Sequence, residues 1–326
     1  MTKTIKIGYM DFGRDFNPEN HFFTKLLRTK YEVVISDKPD YIFYTLGSQT
    51  HHAFDGIRIF WTGENVIPNF NHCDYALGFQ HLTFGDRYHR LPLWRSQPTL
   101  VEKGIQRAIR LSDSEALNRD FCATVISNSK QTDGMRESAF EKLSCYKQVA
   151  SGGKWRNNVG GRVADKAEFQ SRYKFTLAFE NTYAPGYTTE KIMDAFASGC
   201  IPIYYGDPLV IQDFNPDSFI NAHDFNSLDE LVSYVKKVDS DDALYLKMLR
   251  APIFRNNEMP ADLTNEHILS FFEPIFDVPY EQARRRFYAK PYADIDIYHI
   301  KNRDVKEILK AFIKQKIKKI FNKKGK

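Results

Sequence analysis

Cysteine is scarce. The 326 residues contain four, Cys73, Cys122, Cys145 and Cys200, standing far apart and with no CxxC pair. That excludes a disulfide framework and a zinc site of the usual ligand spacing, and leaves four scattered reduced thiols. Long apolar runs are absent too: none approaches the ~20 residues needed to span a bilayer, which excludes an integral membrane bundle. The opening Met1-Thr2-Lys3-Thr4-Ile5-Lys6-Ile7-Gly8 breaks into charge before an apolar signal core of ~7 residues can form. The chain is therefore expected to stay in the compartment where it is made, the cytoplasm. No internal repeat stands out, and no GxGxxG follows an early strand; the glycines at 152–153 and 160–161 are wrongly spaced for one. A nicotinamide-dependent enzyme is set aside on that ground.

What is present is a globular composition: 42% apolar, 14% aromatic and 27% charged residues, too apolar for disorder. The net charge is +5, but residues 301–326 alone carry ten Lys, one Arg, one Asp and one Glu, or +9. The first 300 residues are thus mildly acidic, at −4. A nucleic-acid binder would carry its positive charge on the folded body, so nucleic acid is not expected as a partner. The tail spaces Val305, Ile308, Leu309, Phe312, Ile313, Ile317, Ile320 and Phe321 helically between its lysines. A basic amphipathic helix of this kind suits an anionic membrane surface, with ~1 kcal/mol per basic residue near the lipid. The plainer reading is a helix packed on the body and ending in a solvated lysine run.

Strand-like and helix-like stretches alternate. Runs of four to eight residues rich in Ile, Val, Phe and Tyr at 4–10, 31–36, 41–44, 57–61 and 74–79 suit strands buried on both faces. Residues 100–118 are polar and without strand character, and a domain boundary is placed there. A second set opens with a strand at 121–126. A helix over 132–144, a short strand at 146–149, a helix at 165–172, a strand at 174–179, a helix at 188–198 and a strand at 201–204 follow. Ser227-Leu228-Asp229-Glu230 reads as a capping box opening a helix to about Lys237. The pattern implies βαβ units with parallel sheets. The predicted organisation is α/β: two Rossmann-like domains at 1–117 and 118–300 facing one another across a cleft, then the basic tail at 301–326.

The richest stretch runs from Tyr173 to Lys191: a strand, then the turn-rich Glu180-Asn181-Thr182-Tyr183-Ala184-Pro185-Gly186-Tyr187, then a helix start. In an open parallel sheet the ligand lies beyond the carboxyl ends of the strands, where Glu180 and Asn181 fall. Thr188 is read as the N-cap, which puts Glu190 and Lys191 in the first helical turn. Lysine there opposes the helix dipole and asks for an anion partner, such as a phosphate. Glu180 alone could equally be a structural acceptor for loop N–H groups.

Three blocks, taken together, resemble a known family. They are Phe179-Glu180-Asn181-Thr182 with Gly186-Tyr187-Thr188-Thr189-Glu190-Lys191-Ile192 and Gly199-Cys200-Ile201-Pro202-Ile203-Tyr204-Tyr205-Gly206; Phe60-Trp61-Thr62-Gly63-Glu64-Asn65 with 69–79 and 84–93; and Ser151-Gly152-Gly153 with Asn157, Asn158, Gly160 and Gly161. In register and order, from about Ile5 to Phe225, they are similar to family-10 glycosyltransferases, the α-1,3/4-fucosyltransferases. The resemblance implies a GT-B type fold, with an N-terminal acceptor-binding domain and a C-terminal donor-binding one. It implies transfer of L-fucose from GDP-β-L-fucose, with inversion, to O3 or O4 of an N-acetylglucosamine-type acceptor oligosaccharide in a surface glycan. It implies Glu64 as the general base and Asn181, Tyr187 and Glu190 as donor contacts. Lys191 and an arginine, Arg136, would be the cations on the diphosphate, with Lys130 competing with Arg136. No clear Asp-x-Asp motif stands in a comparable loop, so neither metal nor other cofactor is expected. Asp11-Phe12-Gly13 replaces the family's N-terminal aromatic pair, which leaves acceptor identity open. The heptad repeats of some bacterial members and the membrane anchor of the animal ones are missing. The implied form is bacterial, cytoplasmic and peripheral to the inner membrane. A transferase using another nucleotide sugar and a non-catalytic glycan-binding protein remain as alternatives.

Overall fold

The computed structural model describes residues 2–47, 50–109, 111–127 and 133–286. The apolar runs become two sheets. The first joins β1 (Thr4–Met10), β2 (Glu32–Ile35), β3 (Tyr41–Tyr44), β4 (Ile57–Trp61), β5 (Tyr75–Gly78) and β6 (Tyr88–Arg90) in the order β2-β1-β3-β4-β5-β6. The second joins β7 (Asp120–Thr124), β8 (Val149–Ser151), β9 (Tyr173–Phe179), β10 (Ile201–Tyr205) and β11 (Ile220–Asn221) in the order β11-β10-β9-β7-β8. Every described pairing is parallel. Counted within its own sheet, each order runs second, first, third, fourth, fifth, and the first sheet adds a sixth. The winding reverses between the first and third strands, and the crevice beyond their carboxyl ends is where such sheets take ligands. These crevices lie at β1/β3 and at β7/β9. Two parallel α/β units of the expected class are therefore in place.

The helices are α1 (Phe22–Leu27), α2 (Pro98–Ile105), α3 (Asp113–Leu117), α4 (Met135–Ser144), α5 (Lys166–Gln170), α6 (Glu190–Ala197), α7 (Leu228–Ser240), α8 (Asp242–Arg250), α9 (Asn265–Phe276) and α10 (Tyr280–Ala283). Ser227 caps α7 by accepting the Glu230 N–H, but Glu230 turns its carboxylate to the Asn226 N–H, so the box is half formed. The short strand expected at 146–149 begins only at Val149. The N–H groups of Tyr146 and Lys147 close the end of α4 on the Leu143 carbonyl, and both side chains turn to Asp239. They complete a helix and are not free to join a ladder.

Packing crosses the boundary drawn at 117/118 in both directions. Trp94 and Val101 lie in one core with Ala178, Ile192, Met193 and Phe196 of the second unit. Conversely α9, far downstream, sends Ile268, Phe272, Ile275 and Phe276 into the core of the first sheet, with Phe272 set edge-on to Phe23. Each fully buried aromatic of this kind contributes about 1.5–3 kcal/mol. Arg107 is fully buried and donates to the carbonyls of Cys200, Ser218, Met248 and Ala251, tying the connecting segment to the second unit.

Between the units lies one buried, two-pronged ion pair. Arg90, the last residue of β6, donates through both terminal nitrogens to Asp213, at 2.8 and 2.6 Å, and through Nε to the Phe79 carbonyl. Asp213→Ala leaves the guanidinium buried without its counter-charge and is expected to cost about 3–5 kcal/mol in chemical denaturation. The double change Arg90→Met, Asp213→Leu should recover most of that loss. An unchanged midpoint for the single variant contradicts this role.

Candidate active site

The site grows from the carboxyl end of β9. Beyond Phe179 the chain turns into a loop and returns as α6, and two buried carboxylates hold that turn. Glu180, 1% exposed, accepts the Thr189 N–H at 2.7 Å, the Thr189 hydroxyl at 2.8 Å and the Lys191 ammonium at 2.7 Å. Asp207, wholly buried, accepts the Gly186 N–H at 2.7 Å, the Thr188 hydroxyl at 2.9 Å and the Leu209 N–H at 2.8 Å. The N-cap of α6 is therefore Thr189 and not Thr188. Thr188 is drawn inward by Asp207, and helical geometry begins one residue later. Thr189 turns its hydroxyl to Glu180 and makes no side-chain cap bond.

Two glycines make this turn possible. Gly186 has φ +85°, and a Cβ there would sit 2.3 Å from the Phe79 carbonyl oxygen, where the loop meets the exit of β5. Gly206 has φ +145°, and its Cβ would lie 2.5 Å from the side chain of Glu180. Neither position admits another residue without strain.

The cations gather in the crevice between β7 and β9. A cleft of about 220 Å³ is lined there by Ile126, Arg136, Lys166, Asn181, Glu190 and Lys191 among others. Larger clefts lie at the outer edge strand β11 and at the amino ends of β7 and β9, away from the ligand end of the sheet. Arg136, in the first turn of α4, is 1% exposed and donates to the Phe179 carbonyl at 3.0 Å and to Asn181 Oδ1 at 2.6 Å. Burial lowers its pKa, with Glu180 opposing. Lys191 is half-buried, which works against its charge, but Glu180 and Glu190 outweigh that and hold its pKa above the ordinary lysine value, so it remains an ammonium. Burial also works against the charge of Glu190, and Lys191 and Lys166 outweigh it and hold its pKa low. Burial pushes the Glu180 carboxyl up, and Lys191 opposes it.

Arg136, Asn181, Glu190 and Lys191 thus lie together, as the reading of the sequence expects. Lys130 lies outside the described residues. Tyr187 is 4% exposed and stands at the seam, its ring edge-on to Phe79 of the first unit at 4.9 Å. Burial raises its hydroxyl to about 12, with Glu180, Glu64 and Glu190 adding to the rise and Lys191 opposing. The first unit's Glu64 is thereby within electrostatic reach of the second unit's loop. Glu64 is exposed, in the turn after β4, where its N–H donates to the Thr62 hydroxyl at 3.2 Å.

The anion that Lys191 asks for is present: it is Glu180. Two residues of the site were missed in the sequence, Asp207 and Lys166. Lys166 enters from α5 and pairs with Asp194. No local signal marks either, since both are ordinary polar residues near helix or strand ends. Among the described residues no group of three or more His, Cys, Asp or Glu is arranged to hold a metal ion.

Asp207→Ala is expected to release residues 184–189 while the sheet stays folded. Amide exchange at Gly186 and Leu209 should rise at least tenfold, with little change within β9. Exchange that rises equally across β9 and β10 contradicts a local role for Asp207.

Comparison with known proteins agrees with this arrangement. Residues 7–96 match the alpha-(1,3)-fucosyltransferase FucT N-terminal domain, and residues 117–258 match glycosyltransferase family 10 (fucosyltransferase) C-term. The chain is 37% identical over 254 residues to alpha-(1,3)-fucosyltransferase FucT of Helicobacter pylori, covering 68% of this chain and 53% of that protein. It is 30% identical over 206 residues to human 3-galactosyl-N-acetylglucosaminide 4-alpha-L-fucosyltransferase FUT3, covering 60% and 54%. The chain thus spans about half the length of these curated relatives. A solved alpha1,3-fucosyltransferase with GDP-fucose superposes with TM-score 0.73 at 32% identity, covering 86% of this chain and 93% of that one. Anabaena Alr3699/HepE in complex with UDP-glucose, at 8% identity and TM-score 0.51, shares the fold alone. The chain belongs to glycosyltransferase family 10, and its two facing α/β units are of the GT-B type.

Proposed function

We propose that this member of family 10 transfers L-fucose from GDP-β-L-fucose to O3 or O4 of an N-acetylglucosamine-type unit in a surface glycan, inverting the anomeric carbon. The observation that carries the reading is the crevice at β7/β9, where Arg136, Lys191 and the positive end of α6 face one cleft, while Tyr187 on the adjoining loop feels the charge of Glu64. The solved relative carrying GDP-fucose supports the choice of donor.

In this mechanism the diphosphate lies against Arg136 and Lys191, and the α6 dipole adds its positive end. Lys191 then shares its ammonium between Glu180 and a phosphate oxygen. Asn181, Tyr187 and Glu190 contact the nucleotide and its sugar, with Glu190 suited to paired hydroxyls. The acceptor hydroxyl oxygen bonds to the anomeric carbon from the face opposite GDP. The bond from that carbon to the diphosphate breaks, and its electron pair goes to the phosphate oxygen. The hydroxyl proton passes to the Glu64 carboxylate. Fixed cations absorb the leaving group's charge, so no acid and no metal ion are needed on that side.

Glu64→Gln is expected to lower kcat by about 10²–10⁴-fold, in buffer containing a chelator, with GDP affinity unchanged. Lys191→Ala should weaken GDP binding about 10–100-fold, as befits a lost charged hydrogen bond, and leave affinity for the acceptor sugar unchanged. Calorimetric titration with GDP and a radiolabelled transfer assay check both. Stronger thermal stabilisation by a UDP-sugar than by GDP-fucose would overturn the donor assignment. Full activity of Glu64→Gln would overturn the base.

The basic segment 301–326 lies outside the described residues. Among the described residues no helix is long and apolar enough to cross a membrane. We propose that the tail docks the chain on an anionic membrane surface. Its lysines support the reading, and no nucleic-acid partner is invoked. The full chain should sediment with vesicles rich in anionic lipid and not with neutral ones, and removal of residues 304–326 should abolish this with turnover on a soluble acceptor retained. Equal binding to both vesicle types would refute it.

A further inference from the structure

The first sheet has its own crevice at β1/β3, and it contains a polar arrangement that the transfer chemistry does not use. Asp11 follows β1 at φ +66°, a left-handed conformation that costs a non-glycine residue energy. Its side chain is fully buried. One carboxylate oxygen accepts the Thr50 N–H at 2.8 Å and the Thr50 hydroxyl at 2.7 Å, and the other meets His51 Nδ1 at 2.5 Å. His51 is 5% exposed, and its ring stacks on Tyr44 at 3.9 Å between centroids. Its second nitrogen, Nε2, is buried and takes no hydrogen bond among the described residues. Burial lowers the pKa of His51, against the pull of Asp11, and so favours the neutral ring. With the Nδ1 proton donated to Asp11, Nε2 presents a lone pair.

His51 lines a pocket of about 180 Å³ formed by Tyr44, Leu46, His52, Phe60, Val66 and Ile67 among others. That is room for a group of the order of one sugar ring. The walls are mixed, with aromatic and aliphatic faces beside the polar groups of Thr45, Asn69, His72 and His51, as suits a ring with one apolar face and hydroxyls at its rim. Val66 and Ile67 lie two and three residues beyond Glu64, so the pocket and the base share one loop.

We propose that this pocket takes a neutral saccharide unit of the acceptor and that His51 Nε2 accepts a hydrogen bond from one of its hydroxyls, with Asp11 as the positioning residue. The inference rests on the fucosyl-transfer reading above for its choice of ligand, while the pocket and its imidazole do not depend on it.

The test uses the full chain with 15N-labelled imidazoles, N-acetylglucosamine as probe and GDP as control. The Nε2 resonance of His51 starts at the unprotonated position and is expected to move on addition of N-acetylglucosamine but not of GDP. His51→Phe should raise the KM for the acceptor sugar about three- to tenfold, with kcat and GDP affinity unchanged, the effect of one lost neutral hydrogen bond. Asp11→Asn is the second variant, for asparagine tolerates the left-handed backbone. Its amide donates to Nδ1 and forces the proton onto Nε2, so the resonance should shift to the protonated position without sugar and KM should rise likewise. An Nε2 signal that stays still at saturating N-acetylglucosamine overturns the subsite, whether or not fucose is transferred. A signal that moves in a chain unable to use GDP-fucose keeps the pocket and overturns the transfer reading instead.

Discussion

The described site depends on a carboxylate that touches no cleft directly. Glu180 is buried at the end of β9 and is enclosed by donors from the start of α6. An isolated buried carboxylate would be costly, and such a pair need not stabilise the fold. Its effect is positional. With the Thr189 N–H, the Thr189 hydroxyl and the Lys191 ammonium all converging on Glu180, the first turn of α6 cannot rotate or slide without leaving a charge unpaired. Lys191 is thus pre-set at the mouth of the crevice, and Glu180 and Glu190 keep it charged against the cost of burial. Catalysis by fixed charge requires this kind of advance arrangement, because groups already oriented need not reorganise as charge develops.

Asp207 extends the same device along the loop. Two carboxylates, from the end of β9 and the turn after β10, hold neighbouring residues of one connection, Glu180 at Thr189 and Asp207 at Gly186 and Thr188. Gly186 also lets the chain press against Phe79 of the other unit, so the loop that carries Tyr187 is set by both halves of the molecule. The Arg90–Asp213 pair and the return of α9 to the first sheet fix the mutual placement of the units. The Glu64 loop and the cation crevice are consequently parts of one packed body, with their separation determined by the cores beneath them.

Much of this was legible in the sequence. Short β-rich runs separated by helical stretches specify parallel βαβ units because a strand buried on both faces must be apolar throughout. The motif blocks around Glu64 and from Phe179 to Tyr205 marked both sides of the cleft. Boundaries were less legible. Thr188 and Thr189 are chemically the same, and only Asp207 decides that the first turns inward and the second begins the helix. Tyr146 has the composition of a strand residue, but it closes α4 because Asp239 draws its hydroxyl away.

Composition and pattern pointed to the α/β class and the basic tail, and the resemblance of the motif blocks pointed to the family and to Arg136, Asn181, Glu190 and Lys191, which line the β7/β9 crevice. Each is written in local order: periodicity, residue type or a contiguous motif. Tertiary structure decided the partners. Lys191 finds Glu180, Asp207 finds Gly186 and Thr188, Arg90 finds Asp213, and Asp11 finds His51. Those pairings join residues from about ten to more than a hundred positions apart. They follow from which strands become neighbours, and burial then requires every charge brought together there to be answered by an opposite charge or by hydrogen bonds.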